Sequence, residues 1–306
     1  MRSKQKIVGI ALLLAVVIVA SVWGLSHYNF AVLNTVGEVG DKQRNLMIVA
    51  SLLSLIVVIP VFVLLGTFAW KYRDTNRKPG KYQPELDGNH KLEAIWWGVP
   101  AFLLVILSVL IWNSSHDLDP YKPLDSTVRP VKVQVVSLDW KWLFIYPDKG
   151  VAAVNTLPLP VGTPVNFEIT SDAPMNSFWI PQLGGQVYAM SGMSTKLHLQ
   201  ADKIGDYSGS SANISGEGFA GMTFKANVMS DDDFQKWVLD TRASQQILDT
   251  SSYTELSKPS QNVKPAVYAL GAPELYDTII MKYMGHGNTN SAEAGGTMTH
   301  DMAGME

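Results

Sequence analysis

Residues 131–138 read VKVQVVSL, and here the chain changes to a two-residue period. Val131, Val133 and Val135 alternate with Lys132, Gln134 and Val136. The pattern returns at Val165, Phe167 and Ile169 against Asn166 and Glu168, and at Leu197 and Leu199 against Lys196, His198 and Gln200. It returns once more at Phe224, Ala226 and Val228. Successive side chains of a strand point to opposite faces, so each run buries one face. Pro147-Asp148-Lys149-Gly150 and Val161-Gly162-Thr163-Pro164 are turn signals between the runs. Short alternating strands at this spacing predict an antiparallel sandwich or barrel over residues 121–229.

Upstream the character is different. Ile7–Leu25 is a charge-free run of 19 residues preceded by Arg2, Lys4 and Lys6. Two further charge-free runs, Met47–Ala69 and Ile95–Trp112, follow within residues 28–120. At about 1.5 Å per residue each is long enough for a hydrocarbon layer of roughly 30 Å. Trp70, Trp96, Trp97 and Trp112 stand at the edges of the second and third runs, where indole rings prefer the headgroup level. Pro60 and Pro100 fall inside spans, a placement that membranes tolerate better than buried soluble helices do. Residues 1–27 read either as a retained anchor or as a cleaved signal with Ala20 before the cut. Lys71, Arg73, Arg77, Lys78, Lys81 and Lys91 crowd the loop between the second and third runs, against Lys42 and Arg44 in the other. The positive-inside rule then puts the basic loop in the cytoplasm and everything after Trp112 outside.

Downstream of Met229 the alternation ends. Ser230 with Asp233 three residues on is an N-cap signal, and Phe234, Trp237 and Val238 predict a short helix behind it. A second helix is expected over Pro273–Met284, with Tyr276, Ile280, Tyr283 and Met284 on one face and Gly285 as its stop. Residues 230–285 thus read as a helical extension. Residues 286–306 lack apolar periodicity and read as a disordered tail. Its His286, His300, Met298, Met302 and Met305 can hold a soft metal ion weakly, or form only a solvated tail.

Composition narrows the function. A net charge of −3 without a basic aromatic patch argues against nucleic acid. The 306 residues contain no cysteine, so thiolate metal sites and disulfides are excluded. No phosphate-binding loop, nucleophile elbow or zincin helix is present. His27, His90, His116 and His198 do not form a cluster with acidic or thiol residues in sequence, and His198 falls on the polar side of its strand.

Residues 205–228 read GDYSGSSANISGEGFAGMTFKANV, and residues 177–193 read SFWIPQLGGQVYAMSGM. Alone, the first stretch is a Gly/Ser-rich loop running into a strand. Together, at this separation, they resemble subunit II of the haem-copper respiratory oxidases, a likeness that extends from about Val39 to Lys225. In copper-bearing members the loop and an upstream strand supply the ligands of a dinuclear copper centre. Here the two thiolate positions are Ser211 and Ser215, the histidine positions are Asn176 and Phe219, and the acidic position is Asn213; Met222 alone keeps its type. Serine hydroxyls are hard donors that do not ionise near neutral pH, so they cannot replace bridging thiolates. Met222 reads as core packing. The resemblance is therefore to the copper-lacking branch, subunit II of bacterial ubiquinol or menaquinol oxidases of the bo or aa type.

That resemblance implies a membrane-anchored all-β chain: a helical hairpin, with an N-terminal signal or anchor, followed by a cupredoxin-like barrel and short C-terminal helices. It implies a respiratory, proton-translocating quinol:dioxygen oxidoreductase in the bacterial cell membrane. Haems and copper would belong to subunit I, and none of them to this chain. Partners would be subunits I, III and IV, with quinol reached through subunit I and no role for cytochrome c. Relatives often carry a lipidated cysteine near the first apolar run, which this chain lacks. Trp140 and Trp142, in Ser137-Leu138-Asp139-Trp140-Lys141-Trp142, match the family's electron-accepting aromatic run. With no copper behind them they are expected to serve packing or an interface. Glu93 matches the mouth of a proton-uptake path, although a carboxylate opening a helix is also favoured there by the helix dipole. Two other readings are a membrane-tethered interaction module outside respiration and a copper-delivery protein using the His/Met tail.

Overall fold

The computed structural model describes residues 16, 19–21, 23, 24, 27, 28, 30–73 and 88–284. Most of the first apolar run, Arg77, Lys78 and Lys81 of the basic loop, Gly285, and the 286–306 tail lie outside the described residues. The chain divides into two compact units, residues 41–122 and residues 1–40 with 123–306. The segment from residue 30 to 40, expected to begin the hairpin, thus belongs with the β-unit.

Two helices dominate the smaller unit's sequence. Helix α1 is Glu38–Lys71 and helix α2 is His90–Asp117, each longer than its charge-free run. A helix continues past its apolar stretch while its end groups find partners. At α2 the Asn89 side chain accepts from the backbone N–H groups of Lys91 and Leu92 at 3.1 and 3.2 Å, and Glu93 sits in the first turn. Ile56, Phe62 and Leu65 on α1, and Phe102, Leu104 and Val105 on α2, are all more than half exposed. Helices apolar on every side are stable in lipid rather than water. Both are long and apolar enough to cross a membrane.

Among the described residues the β-unit holds twelve strands: β1 Val131–Leu138, β2 Lys141–Tyr146, β3 Val151–Val154, β4 Thr156–Pro160, β5 Pro164–Ser171, β6 Asn176–Trp179, β7 Val187–Ala189, β8 Thr195–Gln200, β9 Gly205–Ser211, β10 Thr223–Met229, β11 Ile247–Leu248 and β12 Ala266–Leu270. They form a seven-stranded sheet, β11-β12-β3-β2-β1-β5-β8, and a five-stranded sheet, β4-β10-β9-β6-β7. The expected all-antiparallel order is corrected: β1 lies parallel to β5 and β10 parallel to β4. Alternation reports which residues are buried and carries no information on strand direction.

Between the sheets lies one core. Val133, Val135, Phe144, Phe167, Phe178 and Phe224 are fully or almost fully buried there. Helix α3, Asp231–Arg242, closes this core with Phe234 and Val238, and Phe234 and Trp237 pack on Tyr146. Its predicted cap is present: Ser230 Oγ accepts from the Asp233 N–H at 3.1 Å.

The strands do not stop at Met229. Strand β12 pairs antiparallel with β3, and β11 pairs with β12. Helices α4, Thr250–Leu256, and α5, Leu275–Met284, accompany them. This segment buries a second core on the seven-stranded sheet, where Val136, Leu138, Leu143 and Ile145 meet Leu248, Tyr253, Leu275 and Ile279. A sheet covered on both faces has no polar face, which explains why Lys141–Tyr146 is buried at every position. The face expected for α5 is corrected too: Tyr276 is buried, but Met284 is exposed.

The strap ahead of α1 docks on the β-unit through its backbone. Val36 N–H donates to Gln182 O at 2.8 Å, and Asp202 N–H donates to Val36 O at 2.8 Å. A Cβ at Gly37 would stand 2.1 Å from Gln200 O, so only glycine fits that approach.

Candidate functional site

Strand pairing brings two of the degenerate copper positions, Asn176 and Ser211, together. Asn176 opens β6 and Ser211 ends β9, two antiparallel neighbours. The Ser211 hydroxyl donates to Asn176 Oδ1 at 2.9 Å, inside the protein. Asn176 Nδ2 donates to Pro174 O and Asn213 Nδ2 to Met175 O, each at 2.9 Å. Ser211 N–H reaches Met222 O at 3.2 Å, which ties both ends of the loop. Phe219 starts a single 3-10 turn ending at Gly221. Met222 is buried among the aromatic residues of the first core.

This arrangement is a hydrogen-bonded lock built from neutral oxygens and amides. The Asn176, Ser211 and Asn213 side chains each serve another protein group. Its donors are hydroxyl, amide and one core thioether, so these residues do not fit a thiolate-bridged copper pair.

The two tryptophans have separate surroundings. Trp142 is fully buried in the core, edge-on to Phe178 and Phe224, and presents no surface to a partner. Trp140 is half-buried, with its Nε1–H donating to Ser215 O at 3.2 Å. The copper-position loop lies flat on its indole: a Cβ at Gly218 would fall 2.4 Å from the ring. Trp140 itself has φ +61°, a left-handed conformation that costs a non-glycine residue about 1–2 kcal/mol. The strain places the indole under the loop. Ser215 Oγ is buried without a hydrogen-bond partner among the described residues.

Glu93 stands elsewhere, at the start of α2, where its Oε2 lies 3.3 Å from His90 Nδ1. Both side chains are well exposed.

Three polar features escaped the sequence. The Asp172 carboxylate is almost fully buried and receives Tyr253 OH at 2.6 Å, Tyr283 OH at 2.6 Å and Lys282 Nζ at 2.7 Å. Burial alone would raise its pKa, but the hydrogen bonds from Lys282, Tyr253 and Tyr283 outweigh that and hold it below the usual value. Burial, then Asp172, pushes both tyrosines up, so they stay donors. Lys141 is also buried, its Nζ donating to Ser260 Oγ at 2.6 Å and Lys258 O at 2.8 Å, and burial lowers its pKa. His198 is buried rather than surface-exposed, with Nδ1 2.8 Å from Asn166 Oδ1 across the β5–β8 ladder. The apolar residues at both parities of β1 and β2 were the available signal for a covered outer face.

The COX Aromatic Rich Motif family matches residues 242–287, the segment that carries Tyr253, Lys282 and Tyr283. A cytochrome bo(3) ubiquinol oxidase subunit 2 from Pseudomonas putida is 48% identical over 284 residues, covering 92% of this chain and 90% of its own length. The protein of the same name from Pseudomonas aeruginosa is 49% identical over 291 residues, covering 92% and 88%. This chain belongs to the cytochrome bo(3) ubiquinol oxidase subunit 2 family. A ubiquinol oxidase subunit 2 from Acetobacter aceti is 46% identical over 82% of each chain. Within this family the aligned region takes in both apolar helices and nearly all of the β-unit. The segment read from sequence as a helical extension is, in this ubiquinol oxidase subunit, the aromatic-rich cover of the second core.

Proposed function

We propose that this chain is the copper-free, non-catalytic subunit II of a proton-translocating quinol:dioxygen oxidoreductase. It anchors in the bacterial cell membrane through its apolar helices, with the β-unit outside and the basic 71–91 loop in the cytoplasm. Haem-bearing subunit I, which takes up quinol, and subunits III and IV are its partners. The observation that carries this reading is the direct Ser211–Asn176 hydrogen bond, which fills ligand positions with groups committed to each other. Family membership and the positive-inside loop support the rest. Electrons therefore have no route through Trp140, and the chain's work is assembly and shaping of the outer surface.

The test is metal analysis of the purified complex beside its activity. The copper content is expected to match subunit I alone, with quinol oxidised and reduced cytochrome c left untouched. A dinuclear copper signal assigned to this subunit would overturn the reading.

Glu93 is the proposed proton entrance. It is exposed at the start of α2, 3.3 Å from the His90 ring, and directly follows the basic loop. A carboxylate there exchanges protons with water, and an amide cannot. Glu93→Gln is expected to assemble with full haem content and to turn over several-fold more slowly. Unchanged turnover in a fully assembled complex would reduce Glu93 to a helix-end charge, worth about 0.3–1 kcal/mol.

A further inference from the structure

Lys141 opens β2 and is 1% exposed. Its Nζ donates to Ser260 Oγ at 2.6 Å, Lys258 O at 2.8 Å and Asp139 O at 3.4 Å. All three acceptors are neutral oxygens. A buried charge held in this way is costly to the fold, so stability is not what it supplies. An ammonium does supply three donors on one atom, and these fix the oxygens around it. Pro259, between two of the acceptors, has no N–H to offer a ladder and a restricted φ. Lys141 is thus the link between this stretch and β2.

A second fastening lies a few residues on. Asn155, between β3 and β4 at φ +53°, accepts from the Trp142 N–H at 2.9 Å and donates from Nδ2 to Val263 O at 2.8 Å. Between the two fastenings, Asn262 takes φ +54° and lays its side chain against Gly221. A Cβ at Gly221 would fall 2.5 Å from Asn262 Oδ1. Gly221 ends the 3-10 turn of the copper-position loop, and Gly218, just ahead of that turn, lies on the Trp140 indole. The loop is therefore gripped from two sides, by an indole at Gly218 and by an amide at Gly221.

We infer that Lys141 is a positioning residue for the copper-position loop: its ammonium fixes residues 258–263, and that segment, through Asn262, holds residues 211–222 closed against Trp140. In a loop whose side chains cannot be gathered by copper, the shape has to come from protein groups. Lys141 provides one of them from outside the loop, through the C-terminal cover.

The test reads amide exchange by mass spectrometry in the purified oxidase complex, with haem content as the check on assembly. Lys141→Met keeps most of the length and removes the donors. It is expected to speed exchange about tenfold over both 257–263 and 211–222, with β1 and β5 unchanged. Asn262→Gly keeps the positive φ and removes the side chain. It is expected to speed exchange over 211–222 and leave 257–261 protected. Wild-type exchange over 211–222 in either variant would overturn the proposal. Should Lys141→Met fail to assemble with full haem, Ser260→Ala removes one acceptor and leaves the lysine in place. A smaller acceleration over both segments is then expected, and none over 211–222 would overturn the proposal equally.

Discussion

Replacing Phe178 by alanine is expected to lower the stability of the β-unit by about 3–5 kcal/mol. Phe178 is fully buried at the centre of an aromatic cluster. Its ring stacks on Phe224 at a centroid distance of 5.2 Å, meets Trp142 edge-on at 5.5 Å and lies 5.3 Å from Phe167. Removing it takes away the apolar transfer term and leaves a void that rigid rings on both sheets cannot collapse to fill. Aromatic pairing adds about 0.5–1.5 kcal/mol per contact beyond area, although the contacts are not additive. Phe178→Leu, which keeps most of the volume, should cost much less. Urea unfolding of the soluble fragment beginning at Pro123 separates the two. Equal losses for alanine and leucine would show that ring geometry, and not the volume filled, sets the cost.

Asp172→Ala is expected to cost about 3 kcal/mol and to act locally before it acts globally. Tyr253 is mostly buried, so its hydroxyl would be left without an acceptor inside the protein, whereas Lys282 and Tyr283 are exposed enough to be rehydrated. Helix α5 should loosen from the seven-stranded sheet, and amide exchange over residues 275–284 reads this directly. The pH dependence has a definite sign. The folded carboxyl titrates below its ordinary value of 3.8, so the stabilisation is complete above that value and is lost only as pH falls through the depressed folded pKa. The gap between wild type and variant should stay constant at neutral pH and close in acid. A gap that narrows between pH 6 and 8 would assign the effect to a group other than Asp172.

The parts of the fold legible in the sequence were those with a local cause. Charge-free runs located both helices, and alternation located β1, β5, β8 and β10, because burial leaves a periodic trace. The Ser230 cap was legible for the same reason. Strand β11 has two residues, and β12 sits where β3 offers an edge; no local pattern encodes either. At the degenerate site, residue types excluded thiolate chemistry, but the Ser211–Asn176 bond needed the β6–β9 register to appear. Asp172 was invisible because its partners lie 81 to 111 residues away in the chain. His198 was misplaced because alternation names a face, and it does not say whether that face is covered.

The second core also sets an order of assembly. Val136, Leu138, Leu143 and Ile145 are made early, but the residues that cover them, Leu248 to Ile279, come more than a hundred positions later. Until that segment has been made, an apolar sheet face and the open edge of β3 stand in water together, the combination most prone to pairing with the wrong chain. The C-terminal segment therefore behaves as a late-arriving shield, and a chain cut short before β12 would have both sheets of the first core and still be an aggregation hazard.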